Sequence, residues 1–216
     1  SHTRLEQLRG HARLPKITRS LDEVYNARSG QNELKRLNEN LPNLDLFETS
    51  LGQQGATAIA GYRSGLTVAA NLSVGGFDTH GDHDQRQVVA LDRLSSGLME
   101  VWAEVERHGL EDRVLIMVNS DFGRTPRYNE GNGKDHWSIT SLFFMGAGVQ
   151  GNRVIGASDD GVNALPINLS TLALDPNGSK ITPAHVHATL RQRFGVDQGP
   201  LSAHYPLLET AIPLFT

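Results

Sequence analysis

The sequence predicts an α/β fold with a mostly parallel β-sheet. The main observation is the succession of a short apolar segment, a long amphipathic helix and a second short apolar segment, which is the pattern of a βαβ unit. Both segments are largely apolar and contain β-branched residues, as expected of strands covered on both faces. With 216 residues, 38% of them hydrophobic, the chain is long enough for one such domain, and we predict a single domain over residues 1–216.

The first 48 residues are polar and predict two amphipathic helices, because Leu, Val and Tyr residues recur mostly at spacings of three and four. Ser29-Gly30 is the expected break, since a glycine just after a helix can adopt the left-handed conformation that ends it. A further helix is predicted over residues 54–64, ending at Gly65.

Buried strands are predicted at three apolar segments, residues 66–74, 114–118 and 141–145. Between the first two, apolar residues from Val88 to Val105 follow one helical face, and Gly109 is the expected stop. Because a long helix separates these strands, they are expected to be parallel.

The last third of the chain carries weaker signals. Residues 149–156 resemble a hairpin with a tight turn at Gly151-Asn152. Thr182-Pro183 is a good helix start, and Gly195 is the expected end of that final helix.

Composition excludes several classes of function. The net charge is −4 with no Lys/Arg run, so no nucleic-acid partner is expected. No apolar run reaches the roughly 20 residues of a membrane span. There is no cysteine, so any metal must be held by His, Asp, Glu or Asn.

Potential metal ligands are concentrated directly after the first predicted strand. Asp78 and His80 are two residues apart, so in extended backbone they project to the same side. Carboxylate and imidazole without thiolate suit zinc, manganese or iron. His83 is a further possible ligand, whereas Asp84 is better explained as a capping residue of the long helix.

A second acidic segment, residues 119–126, follows the next predicted strand. Ligands of open α/β sheets bind at the C-terminal ends of the strands, so Asp121 is a candidate metal ligand. Arg124 is a candidate for binding a phosphate- or sulfate-like anion. Alternatively, Asp121 and Arg124 pair with each other across the turn.

A third segment leads into the last predicted strand. His136 is a candidate ligand, and the adjacent Asp135, which cannot point the same way on a strand, either supports it or binds from the loop. Lys134 adds positive charge for an anion. By contrast, His185 and His187 lie on nearly opposite faces of the final helix and are interpreted as packing or solvent residues.

These segments resemble the bacterial domain-of-unknown-function family 1501, a sulfatase-like family of the alkaline phosphatase superfamily. The resemblance covers about residues 17–195. Its motifs are Gly75-Gly76-Phe77-Asp78-Thr79-His80, Ser120-Asp121-Phe122-Gly123-Arg124-Thr125-Pro126, Asp135-His136 and Gly146-Ala147-Gly148-Val149.

The resemblance implies a three-layer α/β/α sandwich with a paired-metal centre, in which metals polarise a phosphate or sulfate ester. The metal implied is zinc, with manganese, iron, calcium or magnesium as alternatives. Carried over onto this chain, the ligands are Asp78, His80, Asp121 and His136. Family members commonly have Glu at the position of Asp121, which shortens the carboxylate reach here.

In that superfamily the nucleophile and an early metal-binding acid precede the matched region. The resemblance therefore implies that this chain is the C-terminal portion of a longer, exported or periplasmic protein. The expected function is metal-dependent hydrolysis of a small anionic ester, incomplete in this chain. The alternative is a non-catalytic binding or assembly module, acting with a partner protein.

Overall fold

The computed structural model describes residues 30–215. Contacts divide the chain into two compact units, the first made of Ser1–Gly76 and Val88–His108 and the second of Phe77–Gln87 and Gly109–Thr216. Within residues 30–215, none of the helices combines the length and hydrophobicity needed to cross a bilayer. The predicted helix before Ser29 lies outside the described residues.

The first unit is helical. Residues 30–40 form α1, so Gly30 is helical rather than the break expected there. A 3-10 turn at Leu44–Leu46 precedes α2, Ser50–Arg63. The Thr49 side chain caps α2 by accepting from the Gly52 N–H, and Gly65 follows the helix at φ +72°, as predicted.

The long helix α3, His83–Arg107, begins five residues before the predicted start, and Gly109 follows it at φ +60°. Its last turns pack against α2 through glycines that permit close approach. A Cβ atom at Gly55 would lie 2.5 Å from Val101 Cγ2, and one at Gly97 would lie 2.6 Å from Leu51 Cβ. Val101 and Leu51 are both buried, so this contact is part of the core of the first unit.

The second unit contains all four described strands, in two antiparallel pairs. β1, Leu115–Val118, pairs with β4, Phe143–Gly146; β2, Gly123–Arg124, pairs with β3, His136–Trp137. The helix α4, Pro183–Arg193, starts at Thr182 as predicted, and Gly195 follows it at φ +65°. A short helix α5, Pro200–His204, follows.

The prediction of a mostly parallel three-layer α/β/α sandwich was therefore wrong. The strand positions at 115–118 and 143–146 agree with the predicted segments, but their register is antiparallel, from Leu115 opposite Gly146 to Val118 opposite Phe143. Segment apolarity indicates burial and does not encode strand direction. Consequently, no described pair of parallel strands brings the acidic loops together at a common C-terminal edge.

The predicted strand at residues 66–74 is also wrong. This segment has no strand partner among the described residues, and Val68 is 96% exposed. At Ser73, the backbone N–H donates to Gln54 Oε1 over 2.9 Å and the carbonyl accepts from Gln54 Nε2 over 3.0 Å. A side chain of α2 thus takes the place of a neighbouring strand.

The predicted hairpin at residues 149–156 does not form. Asn152 lies at a bend with φ +59°, and the flanking residues form no strands. His185 is buried, which agrees with the packing alternative predicted for it. Its Nδ1 accepts from the Thr182 backbone N–H over 3.1 Å, which stabilises the start of α4.

Candidate metal centre

The candidate site lies within the second unit, on three segments of chain. The first is the loop that precedes α3, the second is β2, and the third is β3 with the polar loop before it. Because β2 and β3 are antiparallel, Arg124 lies directly opposite His136. The loop before α3 reaches the same place through backbone bonds, with the Lys134 N–H donating to the Thr79 carbonyl and the His83 N–H to the Asn132 carbonyl.

Three potential ligands meet here. Asp78, His80 and His136 each offer one ligand atom, and these atoms lie within 4.8 Å of one another. His80 Nδ1 lies 2.6 Å from Asp78 Oδ1. In the neutral ring, a proton on Nδ1 is donated to Asp78, which leaves the lone pair of Nε2 free to bind a metal.

Arg124 also contacts Asp78 and His80. Its Nη2 donates to Asp78 Oδ1 over 3.0 Å, and its Nη1 lies 3.4 Å from His80 Nε2. The hydrogen bond from Arg124, together with that from His80, lowers the pKa of the Asp78 carboxyl below its ordinary value. Asp78 is therefore kept ionised, which is the form that binds a cation.

The His136 ring is positioned by aromatic contacts. Its centroid lies 4.0 Å from that of Phe122, at an interplanar angle of 30°, and 4.9 Å from that of His80. The Arg124 guanidinium lies 5.5 Å from the Phe122 centroid. Phe122 thus packs against both a candidate ligand and the arginine that contacts Asp78.

Asn129 organises the loop before β3. Its side-chain oxygen accepts from the backbone N–H groups of Gly131 and Gly133, at 3.0 and 2.9 Å. Its side-chain nitrogen donates to the His80 carbonyl at 3.0 Å and to Asp135 Oδ1 at 2.9 Å. One amide therefore ties the loop that carries His80 to the loop that leads to His136.

Gly133 lets these two loops approach. A Cβ atom there would lie 1.9 Å from both the carbonyl carbon and the carbonyl oxygen of His80. Since these are backbone atoms, no side-chain rotation could relieve such a contact. Only glycine fits at this position with the loops as close as they are.

Further titratable groups lie beside the ligands. Thr79 Oγ1 lies 2.7 Å from His83 Nδ1, and burial, together with the positive charges of Lys134 and Arg124, lowers the His83 pKa. Tyr128 donates to Asp84 Oδ1 over 2.7 Å, and this hydrogen bond raises the Tyr128 pKa. Lys134 Nζ lies 4.9 Å from the Tyr128 ring centroid. The positive charges of Lys134 and Arg124 thus both act on His83.

The structure brings together some of the predicted site residues and not others. Asp78, His80 and His136 meet, with Arg124 in contact with the first two. Asp121 is exposed and is not among the clustered ligands, and it does not form the alternative pair with Arg124. Asp135 Oδ1 accepts a hydrogen bond from Asn129. His83 is turned to Thr79 and lies outside the ligand set.

Sequence reasoning missed Asn129, Phe122 and Gly133 as parts of the site. Phe122 and Gly133 lie within the segments that carry the candidate ligands, and Asn129 lies between these segments. A phenyl ring and a glycine offer no ligand atom, and a single asparagine in a loop gives no sign of the contacts that it makes. The one available signal was the glycine-rich spacing of residues 131–133, which indicates close backbone approach.

Comparison with known proteins gives one match. A family model described as Protein of unknown function (DUF1501) matches residues 8–208. Neither the curated proteins nor the solved structures gave a significant match. The family match spans most of the 216 residues and includes every residue of the candidate metal centre. The chain therefore belongs to the DUF1501 family.

Proposed function

We propose that this chain carries the divalent-metal site of a hydrolase that acts on phosphate or sulfate esters, with Asp78, His80 and His136 as the ligands. The observation that carries the proposal is the convergence of these side chains, whose ligand atoms lie within 4.8 Å of one another. They come from segments more than 50 residues apart in sequence, so their meeting is a property of the fold.

The donor set fits a metal ion. Ligand atoms about 2 Å from one zinc ion lie within about 4 Å of each other, so small side-chain rotations close the site. Two imidazoles and one carboxylate favour zinc, with manganese and iron next, while calcium and magnesium prefer oxygen ligands. A bound ion would supply Lewis acidity toward an ester oxygen and lower the pKa of a coordinated water.

Positive side chains support an anionic substrate. Arg124 is in contact with two of the ligands, and Lys134 lies beside Tyr128 on the same loop as His136. Their charges would stabilise negative charge that develops on a phosphoryl or sulfuryl group. The resemblance to sulfatase-like proteins of the alkaline phosphatase superfamily points to the same substrates and supports an exported or periplasmic location.

A second candidate function is a non-catalytic binding or assembly module that retains the metal site. It is favoured by the openness of the centre, since Asp78, His80 and His136 are all exposed and the Asp78 side chain is 79% exposed. Catalysis by charge stabilisation is most effective where water is excluded. Binding of a partner to an open site has no such requirement.

Hydrolysis of model esters separates the two functions. The full-length protein is loaded with zinc or manganese and tested against p-nitrophenyl phosphate and p-nitrophenyl sulfate, with EDTA-treated protein alongside. We expect metal-dependent turnover that His136→Ala abolishes and His187→Ala, at an exposed histidine of α4, leaves intact. Zinc binding without turnover of either ester would reject the hydrolase and favour the binding module.

A further inference from the structure

Both η nitrogens of Arg124 have hydrogen-bond partners. Nη1 donates to the Lys134 carbonyl over 3.1 Å and lies 3.4 Å from His80 Nε2. Nη2 donates to the Phe77 carbonyl over 2.9 Å and to Asp78 Oδ1 over 3.0 Å. The side chain is only 14% exposed. The two N–H groups of Nη2 are therefore both occupied in this state.

These bonds differ in how easily they can be exchanged. The carbonyls of Phe77 and Lys134 belong to the backbone and fix the guanidinium in place. Asp78, in contrast, has a 79% exposed side chain, so its carboxylate can rotate at little steric cost. Asp78 is also one of the three candidate metal ligands.

We propose that Asp78 masks the anion-binding N–H of Arg124 until a metal ion is bound. When Asp78 turns toward the metal, its hydrogen bond to Arg124 Nη2 is released while the two carbonyl bonds persist. The freed N–H then points into the site from a fixed position and binds an oxygen of the phosphate or sulfate group. This inference rests on the proposed function and adds an order to it, with the metal before the anionic substrate.

The chemistry of the masked group specifies its ligand. A guanidinium N–H on a planar, permanently charged group suits a tetrahedral oxyanion. Asp78 imitates that oxyanion in the metal-free state, because its carboxylate occupies the donor that a phosphate oxygen would use. Metal and anion binding are consequently coupled, and each strengthens the other by the same factor.

The test begins without metal. In EDTA, Asp78→Ala removes the mask, so we expect inorganic phosphate to bind about tenfold more tightly than to the wild type, as measured by isothermal titration calorimetry. Asp121→Ala is the matched control, because it removes the same charge from an exposed position in the segment before β2. Equal gains in the two variants, or no gain in Asp78→Ala, would overturn the proposal.

Arg124 must be the group that is unmasked. The double variant Asp78→Ala/Arg124→Gln should lose the gain, while Asp78→Ala/Arg127→Gln should keep it, since the exposed Arg127 contributes only its backbone carbonyl to the described contacts. Arg124→Gln also removes the bonds to the Phe77 and Lys134 carbonyls, so Asp78→Ala/Arg124→Lys serves as a second variant. Circular dichroism checks that each variant is folded. A gain that persists in both Arg124 variants would reject the mask.

The metal-loaded protein separates this inference from the proposed function. We expect zinc to raise the phosphate affinity of the wild type, and Arg124→Gln to bind zinc at least as tightly as the wild type yet bind phosphate about tenfold less tightly once loaded. If wild-type protein does not bind zinc, the proposed function fails. If zinc binds but zinc-loaded Arg124→Gln and zinc-loaded wild type bind phosphate equally, only the proposed masking of Arg124 by Asp78 is rejected.

Discussion

Arg124 and Asp78 form an ion pair at the centre of the candidate site, with 3.0 Å between Nη2 and Oδ1. The arginine is mostly covered and its partner is mostly exposed, at 14% and 79% of the side-chain surface. The pair therefore has one fixed member and one mobile member. The electrostatic state of the carboxylate depends on both Arg124 and His80.

We predict that Arg124→Gln raises the pKa of the Asp78 carboxyl toward its ordinary value of 3.8. The hydrogen bond from Arg124 is the largest cause of the depression, and the bond from His80 remains, so the return is incomplete. The carboxyl would then protonate at a higher pH than in the wild type. Carbon-13 NMR titration of the Asp78 side-chain carboxyl measures this pKa. The control Arg127→Gln should leave it unchanged. An unaltered titration in Arg124→Gln would contradict the prediction.

Gly133→Ala should weaken the metal site. The added Cβ would lie 1.9 Å from the His80 carbonyl, so the loops must separate, at about 1 to 3 kcal/mol. Gly131→Ala is a matched control in the same loop, because its nearest atoms lie at 3.5 and 3.7 Å, which is ordinary contact. Urea denaturation and zinc titration measure the two effects. Similar stability and zinc affinity in both variants would show that close approach at Gly133 is not required.

Glu100 should stabilise the start of α2 in a pH-dependent manner. Its carboxylate accepts from the Glu48 N–H over 2.6 Å and the Thr49 N–H over 3.1 Å, and also from the Thr49 hydroxyl. Burial opposes ionisation of Glu100, but these hydrogen bonds outweigh it and lower its pKa below 4.5. The contribution to stability is thus present above pH 4.5 and is lost as the pH falls through the folded-state pKa.

We expect Glu100→Gln to reduce the free energy of unfolding by about 1.5 to 3 kcal/mol at pH 7, and by less at pH 3. Glu111→Gln, at an exposed position without a described side-chain partner, is the control. Urea denaturation at both pH values measures the difference. A loss that is as large at pH 3 as at pH 7 would contradict the role of the ionised carboxylate.

Val162 adopts a left-handed backbone conformation, φ +57°, which is costly for a β-branched residue. Its carbonyl accepts from Trp137 Nε1 over 2.9 Å, and a substitution keeps that bond. Asn tolerates this conformation, so Val162→Asn should raise stability by about 1 kcal/mol. Val154→Asn, at a side chain that is 92% exposed, should change it by less than about 0.5 kcal/mol. Thermal denaturation distinguishes them, and a lower melting temperature for Val162→Asn would count against strain at this residue.

Local signals predicted the ends of three helices, although the break expected at Gly30 was wrong. The glycines at 65, 109 and 195 follow α2, α3 and α4 in the left-handed conformation, because a helix end depends on its own few residues. Strand pairing depends on distant residues, so the direction of β1 and β4 could not be derived from their composition. Residues 66–74 show the same limit. Their composition is the same whether their backbone groups bond to a neighbouring strand or to the Gln54 side chain, so it cannot distinguish the two cases.

The candidate site shows a similar division. Asp78 and His80 were predicted to project together from their spacing, and they lie in contact. Their approach to His136 was expected at the C-terminal edge of a parallel sheet, whereas it arises from the β2–β3 pair and from backbone bonds between the loops. Asp121 was predicted as a metal ligand because it was expected to lie at that edge of a parallel sheet. Without parallel strands, nothing directs it to the cluster.

Zinc titration by isothermal titration calorimetry tests the metal site most directly. We expect the wild type to bind zinc, and His136→Ala to weaken binding by at least about 100-fold, since one of only three ligands is lost. His187→Ala should bind as the wild type does. A wild-type protein that binds no zinc, manganese or iron, or a His136→Ala variant with unchanged affinity, would contradict a metal centre at Asp78, His80 and His136.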